Sequence, residues 1–199
     1  MKRIVTALLA IFICTFASAK VKARFNVEWG AGSPINEWHM YHYLSEEGMI
    51  IVDDDESFTS SLIAMNTIGA GVDIGRHFSL LLCTGYAGLK KGDRFIPLTL
   101  RAYWLPRGTE VGGLVTFLEG GSGFHTDKVG EMPSIARIGA GYRLQLNKRC
   151  GIDFTLSVRY SKDNPAIIDS STGEIVPEER VLKSEERMWA PMLTIAVNF

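Results

Sequence analysis

Apolar and polar residues alternate with a period of two through most of this chain. The C-terminal stretch shows it most plainly. Trp189, Pro191, Leu193, Ile195, Val197 and Phe199 share one register, and Ala190, Met192, Thr194, Ala196 and Asn198 share the other. A period of two places alternate side chains on opposite faces of a β-strand. Seven further segments read the same way. In 22–30, Ala23, Phe25, Val27 and Trp29 alternate with Lys22, Arg24, Asn26 and Glu28. In 62–74, Ile68, Ala70, Val72 and Ile74 face away from Thr67, Gly69, Gly71 and Asp73, and Asn66 interrupts the apolar register. Segment 78–87 aligns Phe78, Leu80, Leu82 and Tyr86. Segment 95–104 sets Leu98, Leu100, Ala102 and Trp104 against Thr99, Arg101 and Tyr103. In 134–146, Arg137 and Arg143 oppose an apolar register from Ala136 to Leu146. In 152–160, Ile152 to Tyr160 oppose Asp153, Thr155, Ser157 and Arg159. A fifth strand lies within 111–121, where four glycines hide its register.

The connections alternate in length. Tight turns follow strands two, four and six, and long segments, 31–61 and 161–187, follow the first and the seventh. Eight strands so connected predict an all-β fold, an eight-stranded antiparallel up-and-down transmembrane β-barrel with short periplasmic turns and longer outer loops. Polarity sets which face is inside. One face carries Arg24, Glu28, Asp73, Arg101, Arg137, Arg143, Asp153 and Arg159; the other is almost wholly apolar. A soluble lipocalin-like barrel has an apolar interior, which cannot hold so many unpaired guanidinium groups. The charged face is therefore expected to line the lumen as a polar network, with glycines beside it making room for the arginines.

The N-terminus agrees with export. Met1-Lys2-Arg3 precedes an apolar run from Ile4 to Phe16, and Ala17-Ser18-Ala19 fits a small-residue cleavage site. The expected organisation is a signal peptide, 1–19, cleaved after Ala19, and a barrel domain, 20–199. Segment 1–19 holds two of the 21 basic residues and none of the 22 acidic ones, so the barrel segment carries a net charge of −3. That argues against nucleic acid as a partner. No later stretch is apolar enough for a spanning helix, so a membrane form requires a closed barrel.

The closing strand, ending in its apolar register on Phe199, resembles the last strand of bacterial outer-membrane barrels, whose terminal aromatic is read by the barrel-assembly machinery. The chain resembles the small eight-stranded barrels of the OmpA/OmpX type and, more loosely, the small outer-membrane proteins of Bacteroidetes. The resemblance implies an outer-membrane location in Gram-negative cells and contact with outer-membrane lipids and lipopolysaccharide, as a monomer. Aromatics in the apolar register collect at strand ends. Trp29, Tyr86, Tyr160 and Trp189 are expected to form the outer girdle, and Phe78, Trp104 and Phe199 the periplasmic one.

No catalytic constellation emerges. His77-Phe78-Ser79 spells the His-x-Ser pair of lipid A deacylases, but it falls at a periplasmic turn with Ser79 in the lumen register. His39 and His42 lie near the acidic run Asp53 to Glu56 without calcium-loop spacing, and His125 stands alone in a loop. The expectation is no catalytic residues, no metal and no cofactor, hence no enzyme. A lipid A-modifying enzyme and a narrow channel stand as alternatives. Eight strands enclose a lumen that side chains fill, so no large pore is expected. A surface ligand is then expected at 31–61 and 161–187, where Trp38, Tyr41, Tyr43, Met49, Ile50 and Ile51 are more apolar than a solvated loop needs and either extend the barrel as a hairpin or hold a binding surface.

Overall fold

The structure, a computed structural model, describes residues 21–58, 61–89, 94–126, 132–169 and 172–199; the expected leader 1–19 lies outside them. Ten strands form in chain order: β1 (Val21–Gly32), β2 (Asn36–Leu44), β3 (Ile50–Ser57), β4 (Ile63–Ile74), β5 (Phe78–Gly88), β6 (Arg94–Trp104), β7 (Gly113–His125), β8 (Ser134–Gln145), β9 (Gly151–Asp163) and β10 (Val181–Asn198). Every pairing is antiparallel. Strands β1 and β4 to β10 follow one another around a ring, and β10 pairs back with β1 to close an eight-stranded barrel.

The two extra strands come from the first long segment. β10 has 18 residues, more than any other strand. Its lower part pairs with β1, from Met192 to Asn198. Its upper part, Val181 to Trp189, pairs instead with β2, and β3 folds back on β2. The hairpin thus extends the barrel wall beyond the seam. The sequence left 181–187 in a polar connection. From Lys183 to Arg187 both faces are polar, so the alternation that marks a strand against lipid is missing there.

The register fixes the barrel's geometry. The row Asn26, Gly69, Cys83, Thr99, Gly121, Ile135, Ser161 crosses seven strands and reaches β10 at Met188, ten residues before the Asn198 that also faces Asn26. Eight strands with that stagger tilt by about 40° and leave an interior that side chains can fill. Apolar positions face outward, as at Leu82, Leu98, Leu100, Ile138, Leu156 and Leu193, all about half exposed or more. β7 resolves into the same pattern. Val115, Phe117 and Glu119 point inward, and Leu114, Leu118 and Phe124 point outward.

The glycines serve a different purpose from the one expected. A Cβ on Gly71 would lie 2.0 Å from the Leu80 carbonyl oxygen, and one on Gly141 would lie 1.9 Å from that of Phe154. They admit the neighbouring backbone, not arginine side chains. At Gly139 the space is taken by the Phe117 ring and Ser157.

Candidate functional site

The lumen is filled in three layers. At the end nearest Phe199, Arg24 grips Asp73 with Nε at 2.5 Å and Nη2 at 3.0 Å, and the Ser79 hydroxyl donates to the same carboxylate at 2.6 Å. Arg143 grips Asp153 at 2.6 and 2.7 Å, and Asn198 donates to Asp153 at 2.9 Å. The turn between β6 and β7 folds beneath them, and the Thr109 carbonyl accepts from both arginines. A cavity of about 530 Å³ opens below, lined by Lys22, Arg24, Arg143, Lys148 and Arg149 among others.

The middle layer is a charge cluster. Register places Arg101, Glu119, Arg137 and Arg159 side by side on β6 to β9. Arg101 donates to Glu119 through Nε at 3.1 Å and to Glu28 through Nη1 at 2.7 Å. Arg137 donates to Glu119 at 2.9 Å and brings Nη2 within 2.7 Å of Glu28. Thr99 donates to Glu119 at 2.5 Å. Both guanidinium groups lie over the Phe117 ring, at 5.4 and 4.7 Å from its centre, a cation–π arrangement. Each of these charged groups is within 2 % of full burial. Above them lies an apolar plug of Met65, Ala87, Leu89, Phe95, Ile135 and Met192. Arg159 rises into it and donates to the Gly88 carbonyl at 2.6 Å.

All eight charged residues assigned to the lumen from sequence are buried inside the barrel. Glu119, the carboxylate shared by two arginines, was missed, because glycines at 112, 113, 120, 121 and 123 hide the alternation of its strand. Tyr160 and Trp189 face one another with ring centres 4.9 Å apart, and Phe199 exchanges backbone hydrogen bonds with Phe25 at the other rim. Phe78 pairs with Trp104 in register, and Tyr86 lies towards the outer end of β5. Trp29 departs from the expected outer girdle. It faces Ile195, six residues below Trp189 along β10, or about 14 Å lower on a tilted strand. The barrel's stagger, not the strand end, sets its depth.

The end opposite Phe199 is built from β2, β3, the upper half of β10 and the segments 164–169 and 172–180. Tyr43, Ile167 and Val176 form a small core, with Tyr41, Ile51 and Val181 packed on it. This explains part of the apolar content of the first long segment; Met49, Ile50 and Val52 stay exposed. Arg187 lies 4.8 Å over the Trp38 ring, and the Tyr41 hydroxyl donates to Glu186 at 3.3 Å. Burial, with Glu186 beside it, pushes the Tyr41 hydroxyl up from its ordinary pKa. His42 sits 3.1 Å from Asp54 and His39 3.8 Å from Asp53. Among the described residues no three ligating side chains converge.

His125 is not alone. Its Nε2 lies 2.9 Å from Asp163 Oδ1, and both side chains are more than nine-tenths buried. His125 borders a cavity of about 930 Å³ beside upper β10, lined also by Lys162, Ile167, Val176, Leu182 and Lys183. No local sequence signal joins β7 to β9; only the barrel brings them together. His77 and Ser79, by contrast, part company. His77 Nδ1 lies 3.1 Å from the Leu105 carbonyl, and Ser79 serves Asp73. Cys83 lies buried in the lumen and Cys150 at the turn before β9, both as free thiols.

An apolar outer wall around a charged, filled interior defines an outer-membrane-type β-barrel. No family model matches the chain and no curated protein matches it, so the narrower OmpA/OmpX or Bacteroidetes likeness gains no family support. Among solved structures it is similar to the outer-membrane protease OmpT of Escherichia coli, with 10% identity over 88% of this chain and 96% of that one, at a TM-score of 0.43. A second match is the Salmonella type III secretion injectisome secretin InvG in its open-gate state, with 9% identity over 98% of this chain and 64% of that one, at a TM-score of 0.21. The expectation that the protein is no enzyme is withdrawn, because the matching OmpT barrel is itself a protease. At this identity and TM-score, none of its activity passes to this chain.

Proposed function

We propose that the protein is an integral outer-membrane barrel without a large pore, which presents a folded surface at its outer end for an external ligand. The carrying observation is the extension of the barrel wall by β2 and β3. This hairpin continues β10 past the seam and packs with segments 164–169 and 172–180 around Tyr43, Ile167 and Val176. A mere solvated loop needs neither a ladder nor a core. The cavity beside His125 and Asp163 offers such a ligand both apolar walls and two lysines. The lumen below is occupied, so transport through it is disfavoured. Outer-membrane lipid and lipopolysaccharide surround the wall in this reading, and the barrel-assembly machinery reads Phe199.

The test is adhesion of cells displaying the protein to an epithelial cell layer, with residues 36–56 excised in a second strain. The barrel should still migrate in its heat-modifiable folded form, and adhesion should fall to the level of cells lacking the protein. Full adhesion by the folded, excised barrel would refute the reading.

A further inference from the structure

The cavity of about 530 Å³ at the end of the lumen nearest Phe199 plays no part in the surface role proposed above. Its volume falls in the range of about 300–1,000 Å³ usual for small-ligand sites. Arg24 borders it from β1, with its side chain more than nine-tenths buried. Asp73 and the Thr109 carbonyl take Nε and Nη2 of Arg24, while Nη1 has no protein partner. Gln145 borders the same cavity from β8. Its Nε2 donates to the Asn147 and Cys150 carbonyls, which fixes the orientation of the amide. Its buried Oε1 is left without a donor. One cavity thus holds an idle donor on a cation and an idle acceptor.

The charges around the cavity do not cancel. Lys22 is matched by Glu110, Arg24 by Asp73 and Arg143 by Asp153. Lys148 and Arg149 also line the cavity, and neither has an ion pair among the described residues. Against these two stands the terminal carboxylate of Phe199, one oxygen of which accepts from the Phe25 amide at 3.1 Å. One positive charge is left over. Buried donors and acceptors are costly to leave unmade, so a ligand that serves both idle atoms is favoured. It needs a single negative charge for Arg24 and an N–H for Gln145. A halide or a phosphodiester group lacks the N–H. The C-terminus of a peptide has both, a carboxylate and the amide N–H groups just behind it. An extended chain advances about 3.4 Å per residue, so its last three residues can reach across a cavity of this size.

We infer that this mouth of the barrel is a binding site for the free C-terminus of a peptide. The ligand carboxylate meets Arg24 Nη1, and an amide N–H within its last residues donates to Gln145 Oε1. Lys148 and Arg149, exposed on the turn before β9, draw the charged end towards the cavity. The site is separate from the surface at the far end of the barrel.

The experiment is calorimetric titration of the refolded barrel, in a non-ionic detergent, with N-acetyl-trialanine. Its C-terminal amide and an ester analogue, with oxygen in place of the amide N–H groups, serve as comparison ligands. Wild type should bind the acid saturably and the amide at least about tenfold more weakly. The ester analogue should bind wild type about tenfold more weakly than the acid, and Gln145→Leu should bind the two alike. The Arg24→Gln/Asp73→Asn double variant, which removes a matched pair together, should show no saturable binding. If that variant fails to refold, the amide and the Gln145→Leu comparison decide alone. No saturable heat with wild type would overturn the site and leave a hydrated mouth. Equal binding of acid and amide, or equal binding of acid and ester analogue by wild type, would also overturn it. Saturable binding of glycerol phosphate with none of the peptide would overturn it in favour of a phosphate ligand.

Discussion

Arg101 crosses the lumen to Glu28: its Nη1 lies 2.7 Å from Oε2, joining β6 to β1 through the barrel's interior. The pair is within 1 % of full burial on both sides, and Glu119 ties it to Arg137. Removing a shared buried charge leaves its partners uncompensated. Glu119→Gln should therefore cost about 3–5 kcal/mol, since Arg101 and Arg137 would lose a common counter-ion. Urea titration of the refolded barrel in lipid vesicles measures this; a cost below 1 kcal/mol would show that the cluster is hydrated rather than paired.

Leu156 and Leu193 pair directly across β9 and β10 and lie on the outer wall, 64% and 66% exposed. Each sits midway along the outward apolar row of its strand. Arginine at either site should cost about 2–4 kcal/mol, and at Leu182, above the band, about 0–1 kcal/mol. Equal penalties at the two depths in the same titration would refute the placement of the band.

Phe199 completes the seam, since its backbone exchanges two hydrogen bonds with Phe25. Deleting it should lower the yield of folded barrel in the outer membrane while export proceeds unchanged. Normal yield and normal heat-modifiable migration of the deletion would contradict this.

The outer sheet should weaken in acid. Burial raises the Glu185 carboxyl, but the Arg187 hydrogen bond and charge, with Lys162, outweigh it and hold the group below the ordinary range. A folded pKa below the unfolded one gives stability that is full above an ordinary glutamate value of about 4.3 and is lost as pH falls through the lowered value. Both cationic partners are over two-fifths exposed, so the effect is modest. Hydrogen exchange of the β2 and β10 amides should accelerate below about pH 4 and lose that dependence in Glu185→Gln. An unchanged pH profile in the variant would exclude Glu185 as the cause.

How much of this was legible depended on contrast between the two faces of each strand. Against lipid the contrast is sharp, so Arg101, Arg137, Asp153 and Arg159 could be placed in the lumen from alternation alone. It fails in β7, where four glycines remove it, and Glu119 was lost there. It fails again at 183–187, where polar residues occupy both registers. The depth of Trp29 needed the ten-residue stagger, which no single strand encodes. The His125–Asp163 pair needed the closed barrel, because its members lie 38 residues apart on non-adjacent strands.

Planar-bilayer recording of the purified barrel tests the central claim, a wall closed around a filled lumen, most directly. The wild-type protein should show no stable steps of porin size. The Glu28→Ala/Arg101→Ala double variant, folded by heat-modifiable migration, should admit small cation or anion currents. Large, stable wild-type channels would contradict the filled lumen.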